Sequence, residues 1–128
     1  PRITPEEAGR RLADIGSKFD FSLFEYFLSD YAGHLASREE ASKVISTLDR
    51  FLGAAAESLD PEETLLILTS DHGNLEDLSH SRHTLNEVPL LLIGAEAVRS
   101  EIAPRIRDLT DVLPAVRTAL AWKGLSPE

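Results

Sequence analysis

The sequence contains no cysteine, which excludes disulfides and thiolate zinc sites. No apolar stretch approaches the length of a membrane span, and no signal-peptide pattern is present. The expected setting is therefore cytoplasmic, for a chain that begins at Pro1 without Met. Basic residues are few: 13 Lys and Arg stand against 22 Asp and Glu, a formal net charge of −9. That balance argues against nucleic acid and membrane as partners, because phosphate backbones and anionic lipids call for a basic surface. A phosphorylated small molecule stays open, since bound metal ions can supply positive charge locally. Low-complexity tracts, internal repeats and domain linkers are also missing. The 128 residues suit a single domain, residues 1–128, with a modest core.

What is present is a succession of start signals and apolar runs. Thr4-Pro5-Glu6-Glu7 reads as a helix start, with Thr as N-cap, Pro at the first helical position and Glu in capping-box position. Ala8, Leu12 and Ile15 share one face of that helix, and Gly16 ends it. Phe21 to Leu28 reads as a strand interrupted by Glu25. Ser37-Arg38-Glu39-Glu40 is a second capping box. The segment after it carries Ala41, Val44, Ile45, Leu48, Phe51, Leu52, Ala55 and Leu59, the period of an amphipathic helix. Two more apolar runs, Thr64–Thr69 and Val88–Ile93, read as strands. A short helix is expected over 97–107, interrupted by Pro104, and Thr110 is expected to cap a last helix over 111–122. Strands alternating with helices predict an α/β fold with a mostly parallel sheet flanked by helices.

Chemistry-bearing residues collect at the ends of those strands. Asp71 and His72 follow the run at Thr64–Thr69, in Ser70-Asp71-His72-Gly73-Asn74. Gly73 there is expected to adopt a backbone conformation closed to other residues. Asp30 and His34 lie four apart, so one helical turn points both the same way, and Gly33 leaves room for a close approach. His83 precedes the run at Val88–Ile93. Parallel strands bring these pieces to one crevice, with two Asp and three His converging. Oxygen and nitrogen donors of this kind suit two divalent cations of the Zn, Mn or Fe type, with Mg possible but less natural for imidazole. Two such ions can clamp an in-line displacement at phosphorus. Any one pair alone reads as a hydrogen-bonded turn; three pieces beside three expected strands read as a site. His80 reads as solvent-exposed, Ser70 as structural, and Arg82 as the one candidate for a substrate phosphate.

Three motifs, Asp30-x-x-Gly33-His34, Asp71-His72-Gly73-Asn74 and His83-Thr84-x-Asn86-x-Val88-Pro89, resemble the alkaline phosphatase-like metalloenzyme superfamily. The nearest branch is that of cofactor-independent phosphoglycerate mutase and phosphopentomutase. The resemblance covers residues 20–94 and, more loosely, the last helix. It implies that Asp30, His34 and His83 bind one metal ion and that Asp71 and His72 form part of a second site. It also implies a Ser or Thr nucleophile and a further Asp, neither of which matches any residue here. The expectation is thus the C-terminal part of a metal-dependent phosphomutase or phosphatase catalytic domain, with the nucleophile half ahead of Pro1 and little turnover on its own. A sheet cut in this way exposes apolar surface, so self-association is expected. The alternative is a non-catalytic metal-binding or interaction module. A sulfatase or phosphodiesterase is disfavoured by the third motif.

Overall fold

The computed structural model of the chain describes residues 2–122. The element order is α1 (Pro5–Gly16), α2 (Leu28–His34), α3 (Arg38–Ser58), β1 (Leu66–Leu68), β2 (Leu91–Ile93), α4 (Glu96–Ile102) and α5 (Val112–Trp122). The residues group into two compact units. The first runs from the N-terminal residues to Leu59 and includes Ser70–Pro89; the second holds Asp60–Thr69 and the segment from Leu90 onward.

In the first unit the helix starts lie where the sequence signals put them. The Thr4 hydroxyl accepts from the Glu7 N–H at 3.1 Å, and the Ser37 hydroxyl accepts from the Glu40 N–H at 3.4 Å. The acidic side chains do not close either capping box: Glu7 binds Arg11 and Glu40 binds Lys43. Helices α1 and α3 meet where Gly9 of α1 lies against the Phe51 backbone, Ala54 and Ala55 of α3, with Gly9, Ala13, Phe51, Ala54 and Ala55 buried. The expected face of Ala8, Leu12 and Ile15 is thus rotated, and Ile15 remains half exposed. A bidentate pair, Arg50 to Glu6 at 2.5 and 3.0 Å, ties the same two helices together. The Arg50 hydrogen bonds hold the Glu6 carboxyl at about 2, well below its ordinary value. Between α2 and α3 the chain turns through Ala36, whose φ of 49° lies in the left-handed region.

The strand expected over Phe21 to Leu28 does not form. Residues 21–26 are irregular, and Phe27 precedes α2 directly. A strand exists only where a neighbour completes its hydrogen-bond ladder, and among the described residues the sheet contains β1 and β2 alone. The apolar side chains of this segment are consequently exposed, Leu23 at 85% and Phe27 at 69%. Phe24 alone packs its ring against an aromatic partner, Phe51, with centroids 5.2 Å apart.

In the second unit, β1 and β2 are antiparallel, paired Leu66 to Ile93, Ile67 to Leu92 and Leu68 to Leu91. The parallel sheet of the sequence reading is therefore replaced by a two-stranded antiparallel ribbon, while the mixed helix-and-strand composition stands. The reason lies in the connection. Parallel neighbours need a crossover, usually a helix, and residues 69–90 contain none. Pro104 ends α4 early, turning Ala103–Arg105 into a 3₁₀ turn. Ahead of α5, Asp108 caps a 3₁₀ turn, Leu109–Asp111, inside which Thr110 lies: the Asp108 carboxylate accepts from the Thr110 N–H and hydroxyl at 2.8 and 2.6 Å. Ile102 is fully buried. No helix among the described residues is long and apolar enough to cross a membrane.

Two outcomes follow from this packing. A Cβ on Gly9 meets the Phe51 carbonyl oxygen at 2.2 Å and the Ala55 nitrogen at 2.9 Å. Both are backbone atoms, so Gly9→Ala forces the helices apart and is expected to cost about 1–3 kcal/mol in urea denaturation; an unchanged midpoint contradicts this. Six large apolar residues within ten positions, Phe19, Phe21, Leu23, Phe24, Phe27 and Leu28, are exposed, a concentration that favours association. Sedimentation velocity is expected to show mass rising with concentration, and reversal by Leu23→Glu with Phe27→Glu. A monomer at all concentrations speaks against it.

Candidate metal centre

The site is built from one short helix and one loop of the first unit. Helix α2 places Asp30 and His34 one turn apart, so that His34 Nε2 lies 3.3 Å from Asp30 Oδ1. The loop doubles back through an isolated antiparallel bridge between Gly73 and Thr84, in which the Thr84 N–H donates to the Gly73 carbonyl at 2.9 Å. That bridge sets His72 beside His83, with rings stacked at 3.7 Å between centroids. His83 Nε2 then reaches Asp30 Oδ1 at 3.3 Å and His34 Nε2 at 3.2 Å.

Asp30, His34 and His83 thus offer three donor atoms at the corners of a nearly equilateral triangle. A tetrahedron of zinc-type bonds about 2.0–2.1 Å long has edges of about 3.3–3.4 Å, so all three atoms can lie at bonding distance from one point. The proton positions agree. His34 Nδ1 sits 2.8 Å from the Ser81 carbonyl oxygen, which can only accept. In its neutral form, His34 therefore carries the ring proton on Nδ1 and turns the lone pair of Nε2 toward the triangle, as a metal-binding imidazole held by an outer partner does. The residues present fit a divalent ion.

Asp30 is itself held. The buried Asn74 donates through Nδ2 to Asp30 Oδ1 at 2.5 Å and to the Asp30 carbonyl at 3.2 Å. Burial pushes the Asp30 carboxyl up, but the Asn74 amide and the charges of His34, His83 and His72 outweigh it and hold the group below its ordinary value. Gly33 makes room for this contact: a Cβ there meets Asn74 Oδ1 at 2.1 Å. The close approach expected at Gly33 is therefore real, and its occupant is Asn74.

His72 and Asp71 stand differently. His72 Nε2 lies 3.6 Å from Asp71 Oδ1 and 3.9 Å from Asp30 Oδ1, and its Nδ1 is buried without a hydrogen-bond partner. The Asp71 side chain is 84% exposed. Among the described residues, the donors that cluster tightly enough for one ion are Asp30, His34 and His83 alone. The expectation for Gly73 fails, because no glycine among the described residues has a positive φ. Gly73 is needed for space instead: a Cβ there meets Thr84 Oγ1 at 2.2 Å and Glu76 Oε1 at 2.6 Å. The Ser70 hydroxyl donates to the His72 carbonyl at 2.9 Å, a structural bond. His80 is partly exposed, 3.8 Å from Asp77. Arg82 is exposed, and its backbone N–H donates to His80 Nδ1.

Two residues of this site had no role in the sequence reading. Asn74 was visible only as part of a motif, and Glu76 not at all. The Glu76 carboxylate accepts from the Thr84 hydroxyl, from Asn86 Nδ2 at 3.0 Å and from the Asn74 N–H at 2.7 Å. The Thr84 hydroxyl, ahead of the backbone and amide donors, holds this carboxyl at about 2 despite desolvation. A lone Glu in a polar loop carries no sequence signal for such a part; only an Asn-x-Glu spacing at the loop entrance hints at it.

The sequence of this chain matches the family described as the Metalloenzyme superfamily over residues 5–123, and the chain belongs to that family. Its relatives include 2,3-bisphosphoglycerate-independent phosphoglycerate mutases. That of Cereibacter sphaeroides (strain ATCC 17029 / ATH 2.4.9) is 30% identical over 85% of this chain and 23% of its own length. That of Methylobacillus flagellatus is 30% identical over 98% of this chain and 25% of its own length. That of Rhodopseudomonas palustris is 31% identical over 94% of this chain and 27% of its own length. The chain spans about a quarter of the length of these relatives. No solved structure matches it. The superfamily expected from the three motifs is the one found.

The Gly33 contact gives a direct check. Ala is the better helix former by about 1 kcal/mol, yet Gly33→Ala drives a methyl into Asn74. A net loss of about 1–3 kcal/mol is expected by urea denaturation; a stabilised variant means that Asn74 is not seated against α2.

Proposed function

We propose that Asp30, His34 and His83 bind a divalent cation, and that the chain takes part in metal-dependent phosphoryl transfer or phosphate-ester hydrolysis of the phosphomutase or phosphatase type. The observation that carries this is the triangle of Asp30 Oδ1, His34 Nε2 and His83 Nε2, with edges of 3.2 and 3.3 Å. Membership of the Metalloenzyme superfamily supports it, as do the names of the phosphoglycerate mutase relatives. Zn and Mn are the proposed ions, from the mixed imidazole and carboxylate donors. Asp71 and His72 are proposed as part of a second cation site.

A bound cation would draw charge from phosphoryl oxygens as it builds up during transfer. The chain's own residues do the rest. Asp30 contributes the negative charge that holds a cation, and the Asn74 amide keeps its carboxylate aimed. The Ser81 carbonyl keeps the His34 lone pair directed inward. With Asp30, His34 and His83 as its protein donors, a bound cation would keep room for a substrate oxygen. The phosphorylated substrate needs this help, because the chain carries a net charge of −9 and repels anions at long range. Exposed Arg82, in the loop before His83, is the proposed side chain for a phosphate oxygen.

Titration calorimetry with Zn²⁺ and Mn²⁺ tests the reading. The wild-type chain is expected to bind, and His34→Ala and His83→Ala each to lose more than about 100-fold, beyond the range for outer partners of a ligand. Inorganic phosphate is expected to bind only the metal-loaded protein. Unchanged metal affinity in both variants, or equal phosphate binding after chelation, overturns it.

A further inference from the structure

We propose that Glu76 is a positioning residue of this centre: its carboxylate fixes the spacing between the two loop segments that carry Asn74 and His83. The inference rests on the metal-binding reading of Asp30, His34 and His83. Its hydrogen bonds go to other residues than those three. It binds the Asn74 N–H through Oε2 at 2.7 Å, and the Thr84 hydroxyl and Asn86 Nδ2 through Oε1. Asn74 in turn holds Asp30 from two sides, and Thr84 is the neighbour of His83. One carboxylate thus acts on two of the three donors, through one intermediate residue each.

The chemistry of the contacts requires a carboxylate. All three partners donate to it, and an ionised carboxylate is acceptor only, with room for about four hydrogen bonds on two oxygens. A glutamine of the same shape has one accepting oxygen, and its amide N–H₂ would face a donor. Besides Glu76, the His72–His83 stack and the His34 contact with the Ser81 carbonyl hold the loop. The Gly73–Thr84 bridge contributes a single backbone hydrogen bond, and Gly73 has no side chain to separate Glu76 from Thr84. Without Glu76 the two segments keep that bond and the His72–His83 stack but lose the side chain that hydrogen-bonds both, and the 3.2–3.3 Å triangle is less sharply defined before any ion arrives.

The test uses the whole chain with Co²⁺ as probe, read by calorimetry and by the visible absorption band of the bound ion, beside thermal melting of the metal-free protein. Wild type is expected to bind Co²⁺ with a tetrahedral-type band. Glu76→Gln is expected to weaken binding about 10–100-fold, the range for outer-shell partners of metal ligands, and to shift or weaken the band at saturating Co²⁺. A merely structural role lowers the melting temperature and leaves the saturated band alone. Thr84→Val, which removes one donor with little change of volume, is expected to act in the same direction, and Thr84→Ser to restore binding. This pair keeps the proposal open to refutation if Glu76→Gln fails to fold. Wild-type affinity and an unaltered band in Glu76→Gln, or in Thr84→Val, overturn the positioning role while leaving the metal centre standing. Failure of the wild-type chain to bind Co²⁺ overturns both.

Discussion

The contact on which the centre depends is the buried amide of Asn74 lodged against Gly33. It joins a seven-residue helix to a loop with no regular structure of its own. A helix of that length is marginal alone, and so is a loop closed by one isolated bridge. Asn74 Nδ2, donating to both the side chain and the backbone of Asp30, makes each the support of the other. The absent side chain of Gly33 admits the amide, and its burial raises the cost of leaving that hydrogen bond unmade.

Around this contact the polar groups are arranged by what they can accept or donate. Asp30 meets the Asn74 donor on one side and two imidazoles on the other. His34 is oriented by a backbone carbonyl, and Glu76 gathers three donors from both ends of the loop. Asp71, by contrast, points to solvent, and His72 keeps a buried nitrogen without a partner. The two halves of the acid–imidazole pair are therefore unequal: His72 is packed into the centre by its stacking on His83, and Asp71 is not.

Legibility from the sequence followed the range of the interaction. Thr4 and Ser37 cap helices because their hydroxyls reach backbone N–H groups three residues away. Asp30 and His34 share a face because helical geometry alone brings them together. Where the deciding interaction was distant, the reading failed. Phe21 to Leu28 has strand composition but no neighbouring strand, and so forms no strand. The sheet is antiparallel because the connection from β1 to β2 contains no crossover helix. Thr110 lies inside a 3₁₀ turn capped by Asp108, whose side chain takes Thr110 as its donor. Gly73 is required by the packing of Glu76 and Thr84 rather than by its own backbone angle.

The sequence by itself determined the starts of α1 and α3, the donor chemistry of two Asp and three His, and the superfamily, since each rests on local spacing or on motif residues in order. The tertiary structure decided which donors meet. Asp30, His34 and His83 converge, and Asp71 stands apart, because a loop bridge and the Asn74 amide seated against Gly33 set distances across more than forty residues of chain. Such distances depend on steric fit and on hydrogen-bond partners remote in sequence. No pattern of neighbouring residues encodes them.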